Sequence, residues 1–207
     1  LQDHGDLPAA RQRCEQAMAA QRERDANDDD AMLRLEILLG QVLLAQGELD
    51  AADAQLSSGL SRAEKGFGPG HPRAAPLLIA LAELRREQAR VPEAVALLDR
   101  VAALSSTLGA GHHDVVSAVV RRAWLMIDAG DGAAVLPVVR EQAAKAGEDL
   151  APIDRFELSF AEAGAQWGQG QTDEARATAR QARQRYAKTD GAKPEPLARL
   201  DAWLAER

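Results

Sequence analysis

Aromatic side chains are scarce, only 3% of the 207 residues, and the β-branched residues never alternate with polar ones in a run bounded by turn residues. The missing alternation excludes a substantial sheet, because pleated faces are built from such patterns. There is a single cysteine, Cys14, so no internal disulfide can form, which fits a reducing compartment. No stretch approaches the roughly 18 uninterrupted apolar residues that a membrane-spanning helix needs. Positive charge is in deficit: 25 Lys and Arg against 32 Asp and Glu leave a net charge of −7. Nucleic acids and anionic membranes are held mainly by Lys and Arg neutralising phosphate, so neither is the expected partner. No initiator methionine is present and the chain opens at Leu1 within what reads as a repeat, so a piece of a longer protein is expected. What is abundant is alanine, within an ordinary apolar content of 46%. That is the composition of a helical protein.

Repetition at a fixed period is the strongest signal. A small turn residue followed five positions later by an apolar one recurs as Gly5 with Ala10, Gly47 with Ala52, Ala89 with Ala94, Gly130 with Val135 and Gly170 with Ala175. The spacings are 42, 42, 41 and 40 residues. Between successive turns lies a second break, Gly68-Pro69-Gly70-His71-Pro72, echoed 41 residues on as Gly109-Ala110-Gly111-His112-His113. Each repeat is therefore two helices and two breaks.

Periodicity and caps place the helices. Between Arg73 and Ala89, Leu77, Leu78, Leu81 and Leu84 fall at three- and four-residue steps and share one face of a 3.6-period helix. Pro72 suits the first turn, where its missing N–H has no intrahelical partner to lose, and Pro92 and Pro152 read as starters for the same reason. Helices are predicted near 7–23, 30–46, 49–65, 72–89, 92–107, 113–129, 132–146, 152–169, 172–187 and 195–206. The last carries Leu197, Leu200, Trp203 and Leu204 on one stripe, as expected of a helix closing an open stack.

This pattern resembles the tetratricopeptide repeat, and more closely its longer kinesin-light-chain-like form with a Gly-x-His-Pro connector. The family's small residue of the first helix, turn residue, small residue of the second helix and following apolar position match Gly40, Gly47, Ala52 and Leu56. The next repeats supply Ala82, Ala89, Ala94 and Leu98, then Ala123, Gly130, Val135 and Val139, then Ala163, Gly170, Ala175 and Ala179. The resemblance implies an all-α fold, a right-handed α-solenoid of stacked antiparallel helix pairs with a C-terminal capping helix. It is expected as one domain over 1–207, made of a half repeat 1–29, repeats near 30–71, 72–112, 113–151 and 152–190, and the cap 195–206. Two departures stand out. Arg122 and Glu162 occupy the position held by Leu39 and Leu81, so a register shift of one residue is expected in the later repeats. Leu38, Ala80 and Arg121 stand where related repeats carry the Asn that clamps a peptide backbone.

In such a stack the first helices line the concave side. Carried over residue by residue, the implied partner-binding groove comprises Arg34, Ile37, Gln41 and Leu44; Ile79, Glu83 and Arg86; Val120, Trp124 and Ile127; and Phe160, Gly164 and Trp167. It is apolar, and a basic clamp for an acidic peptide end would rest on Arg34, Arg86 and Arg121 alone. The expected ligand is accordingly an apolar or amphipathic helical segment of a partner protein, anchored on Trp124 and Trp167. The alternative is that both indoles belong to the core between helices, since a one-residue misregistration turns a helix face by about 100°.

Nothing points to catalysis, a cofactor or a metal. Asp25, Asn27, Asp29 and Glu36 stand at offsets 1, 3, 5 and 12 of a calcium loop, but Asp30 occupies the offset where the sharp turn requires Gly. His71 and His112 sit in equivalent connectors with no Cys or second His pair to complete a ligand set, and read as caps of nearby helices. Cys14 lies among apolar helix positions and has no base nearby. The expected function is a non-catalytic protein-interaction scaffold within a larger signalling protein, similar to the repeats that follow the catalytic domain in high-GC bacterial serine/threonine kinases. The alternative is a sensing or autoinhibitory module of a transcriptional regulator. A cytoplasmic setting is expected, or a periplasmic one if a membrane span lies upstream. A homodimer through an exposed apolar side of the N-terminal helix is a further expectation.

Overall fold

The computed structural model describes residues 6–24 and 29–207. His4, Gly5, Asp25 and Asn27 lie outside the described residues. Within the described residues every regular element is helical, no strand occurs, and no helix is long and apolar enough to cross a membrane. The chain divides into two compact units, Leu1–Val101 and Ala102–Arg207.

The first unit contains α1 (Leu7–Arg24), α2 (Asp29–Ala45), α3 (Leu49–Phe67), a 3-10 turn Pro72–Ala74 leading into α4 (Ala75–Glu87), and α5 (Val91–Ala102). α1 packs on α2, and α2, α3 and α4 pack on one another. Leu56, Leu77 and Leu84 are wholly buried in the resulting core, each such side chain contributing about 1.5–3 kcal/mol relative to exposure. Where α2 crosses α3, a Cβ on Gly40 would lie 2.4 Å from Leu56 Cδ2. The small residue is what lets Leu56 seat. α1 turns Cys14 and Met18 into the core and presents mainly Arg, Gln, Glu and Ala outward.

The second unit contains α6 (Ser105–Leu108), α7 (His113–Asp128), α8 (Gly132–Ala146), a 3-10 turn Gly147–Asp149, α9 (Pro152–Gly168), α10 (Thr172–Tyr186) and α11 (Pro194–Ala205). α7, α8 and α9 pack mutually, α10 packs on α9, and α11 packs on α10. Each hairpin hides its apolar stripe against the neighbouring helices, as the stacking of repeats requires.

The four turns that set the period share one hydrogen-bond pattern. The residue at each turn, Gly47, Ala89, Gly130 or Gly170, donates its N–H three residues back, at 2.9–3.0 Å. The next residue donates five back, Glu48 to Leu43, Arg90 to Arg85, Asp131 to Met126 and Gln171 to Gln166, at 2.8–3.0 Å. This is the helix-ending motif that requires a left-handed residue. The three glycines have φ between 76° and 85°, and Ala89 is forced to φ 56°. Left-handed backbone costs an L-residue about 1–2 kcal/mol, so Ala89→Gly is expected to stabilise the first unit by about 1 kcal/mol, read as a higher urea midpoint at unchanged slope. An unchanged or lowered midpoint would contradict it.

Two expectations are corrected. The helix predicted over 92–107 is broken after Ala102, and only the four residues Ser105–Leu108 resume helix. Ser105, Ser106 and Thr107 are weak helix formers, while Leu104 is buried at the break. No register shift occurs in the later repeats: Gly40, Ala82, Ala123 and Ala163 are all buried in phase. Arg122 and Glu162 are tolerated at partly buried positions, where Glu162 accepts a bond from Arg140 Nε at 2.8 Å.

Candidate functional site

The expected groove residues occupy two different environments. On α2, Arg34 and Gln41 are exposed and Ile37 and Leu44 half-buried; on α4, Arg86 is exposed and Ile79 and Glu83 half-buried. Ile37 and Leu44 rest on the core of the first unit. Beside them Leu38 is 48% exposed, the large hydrophobic side chain most open to solvent among the described residues. The polar members are held locally. Arg34 pairs with Asp30 at 2.7 Å, and Arg86 pairs with Glu87. On α2 and α4, then, the apolar side chains that solvent reaches include Ile37, Leu38, Leu44 and Ile79, with Arg34, Gln41 and Arg86 exposed on the same helices.

In the second unit the corresponding positions are largely filled from within. Val120, Phe160 and Gly164 are buried, and Trp124, Ile127 and Trp167 are half-buried. The Trp124 indole lies against Gly164, where a Cβ would come within 2.8 Å of the ring, and meets Phe160 edge-on at 4.9 Å between centroids. Trp203 of α11 meets Phe160 at 5.7 Å and Trp167 at 5.9 Å, both edge-on. Phe156 and Tyr186 extend the cluster at 4.9 Å. Edge-to-face pairs of this kind contribute beyond the area they bury. Trp203 was legible as part of the cap's apolar stripe, but not the rings it would cover. Trp124 and Trp167 thus pack against one aromatic cluster, each half-buried.

The remaining candidates resolve into structural roles. His71 Nδ1 accepts the Arg73 N–H and His112 Nδ1 accepts the Asp114 N–H, each at 3.2 Å. Both histidines therefore cap the helical segment that follows. No group of three or more His, Cys, Asp or Glu suited to a metal occurs among the described residues. Glu36, at the last calcium-loop offset, is 2% exposed and pairs with Arg62 at 2.9 Å. Cys14 is buried, and burial pushes its thiol pKa up, away from the reactive thiolate.

The His113–Asp154 pair is expected to make stability depend on pH near neutrality. His113 Nδ1 donates to Oδ1 of the buried Asp154 at 2.7 Å. That bond raises the imidazole pKa above its ordinary value, against an opposing effect of burial. A raised folded pKa stabilises fully below the unfolded value of about 6.5 and ceases to do so as pH rises through the folded value. Wild-type protein is expected to lose urea midpoint as pH rises above about 6.5, and His113→Gln to lose less. Equal slopes in the two proteins would remove the pair from the account.

Comparison with known proteins agrees with this geometry. Residues 31–107 match the family model of the tetratricopeptide repeat. No curated protein matches the chain. Among solved structures, the nearly identical TPR-like repeats assigned to a kinesin light chain of Podosopora anserina share 23% identity over 92% of both chains, with a TM-score of 0.70. A variant of that protein gives 0.71 over 90% of both chains. BtubC (BKLC) from P. vanneervenii gives a TM-score of 0.74 at 17% identity, covering 93% of this chain and 78% of that one. The fold is therefore all-α and of the tetratricopeptide type.

Proposed function

We propose that this chain, with tetratricopeptide repeats in residues 31–107 and a tetratricopeptide-type fold, holds a partner protein on the α2–α4 stripe of its first unit. Such repeats generally mediate protein–protein interaction. What supports the reading is the solvent-reached apolar set on α2 and α4, the exposed Leu38 with the half-buried Ile37, Leu44 and Ile79, alongside the exposed Arg34, Gln41 and Arg86. Its chemistry suits an amphipathic helix laid with its apolar face down, the helix-in-groove mode of recognition. In the second unit the half-buried Trp124 and Trp167 are the positions left for such contacts. The expected setting is a module within a larger signalling protein.

The test is capture of the partner by immobilised protein, comparing wild type with an Ile37→Asp/Ile79→Asp variant. Charge placed at these positions is expected to abolish capture while circular dichroism shows the helical fold retained, at a lowered thermal midpoint because both side chains are half-buried. Equal capture by a folded variant would move the site elsewhere.

A further inference from the structure

We propose that the cleft where the start of α9 meets the end of α10 is a separate docking site, for a protein segment that carries an acidic side chain between two apolar ones. Two adjoining hollows of about 290 and 180 Å3 lie along α8, α9 and α10. They share Leu150, Arg155, Ser159 and Arg185. One is floored by Phe156, Ala182 and Tyr186, the other by Val139, Ala143 and Leu158. Cationic side chains thus stand between two apolar pits, and that order dictates the order of side chains in a ligand.

The charges around the cleft leave those cations available. Arg185 is exposed and has no carboxylate partner among the described residues. Arg155, also exposed, donates a single bond, to the Gly147 carbonyl at 3.1 Å, and its other N–H groups remain open. Glu162, the acidic residue in the lining, is already bonded to Arg140. A guanidinium meets a carboxylate through two parallel N–H···O bonds, a geometry neither a lysine nor a neutral amide reproduces. Phe156 and Tyr186 are buried, their tilted rings 4.9 Å apart between centroids, so the floor is set before a ligand arrives. None of these residues belongs to the α2–α4 stripe.

The probe is a fluorescein-labelled, acetylated and amidated peptide of sequence Ala-Leu-Ala-Asp-Ala-Phe-Ala, together with its Asn-for-Asp counterpart, each titrated against the full chain by fluorescence anisotropy. The Asp peptide is expected to bind saturably, and the Asn peptide about tenfold or more weakly, the scale of a charged hydrogen bond. Arg155→Gln/Arg185→Gln is expected to weaken the Asp peptide by a similar factor. Ile37→Asp/Ile79→Asp is expected to leave it unchanged, which separates this site from the stripe. Equal affinity for the two peptides, no effect of the Arg substitutions, or no saturable binding would overturn the proposal.

Discussion

Trp203→Ala is expected to lower the stability of the second unit by about 3–5 kcal/mol, the usual cost of removing a large aromatic from a core that cannot collapse around the gap. Only 8% of Trp203 is exposed, and its ring lies against Phe160 and Trp167, with the Arg207 guanidinium 4.7 Å from its centroid. α11 also contributes the fully buried Leu200, but truncating Trp203 uncovers Phe160, which is 2% exposed in the intact fold. Two readouts check this. The urea midpoint falls sharply, and acrylamide quenching of the remaining tryptophans rises because Trp167 loses a covering ring. Trp203→Phe, which keeps a ring in place, recovers most of the loss. A small loss with unchanged quenching would mean that α11 does not close the aromatic cluster.

Arg62→Ala is expected to cost the first unit about 3 kcal/mol, the lower end for breaking a buried ion pair, because the Arg62 side chain is itself 35% exposed. Its partner Glu36 is nearly fully buried on α2 and sits over Gly59, where a Cβ would lie 3.0 Å from Oε2. Removing the guanidinium takes from that buried carboxylate the ion pair it makes at 2.9 Å. Replacing both residues, as Glu36→Met/Arg62→Leu, is expected to restore most of the stability, since apolar groups of similar size often replace a buried pair without net loss. Comparable destabilisation of the single and double variants would show that packing, not charge, is what Arg62 supplies.

The helices and their period were legible because turns and stripes are local. Gly47, Ala89, Gly130 and Gly170 mark the same helix ending in sequence and in structure, and the inward residues of α4 follow from spacing alone. The state of the groove was not legible, because it depends on residues a whole repeat apart. Trp124 and Gly164 stand at equivalent positions of successive repeats, and only their pairing shows that the indole needs a bare neighbour. Phe160 is closed off by Trp203 for the same reason. Glu36 stands at a calcium-loop offset in the sequence, whereas burial on α2 pairs it with Arg62. Arg155 and Arg185 left no sequence signal as neighbours, since α9 and α10 bring them together from thirty residues apart.

Binding on the α2–α4 stripe is tested most directly by photo-crosslinking with a photoreactive amino acid at Leu38, at Ile79 or at the exposed Ser61 of α3, each in the presence of the captured partner. Adducts from Leu38 and Ile79, and none from Ser61, are the predicted outcome. Adducts from Ser61, or none from the two stripe positions, would contradict it.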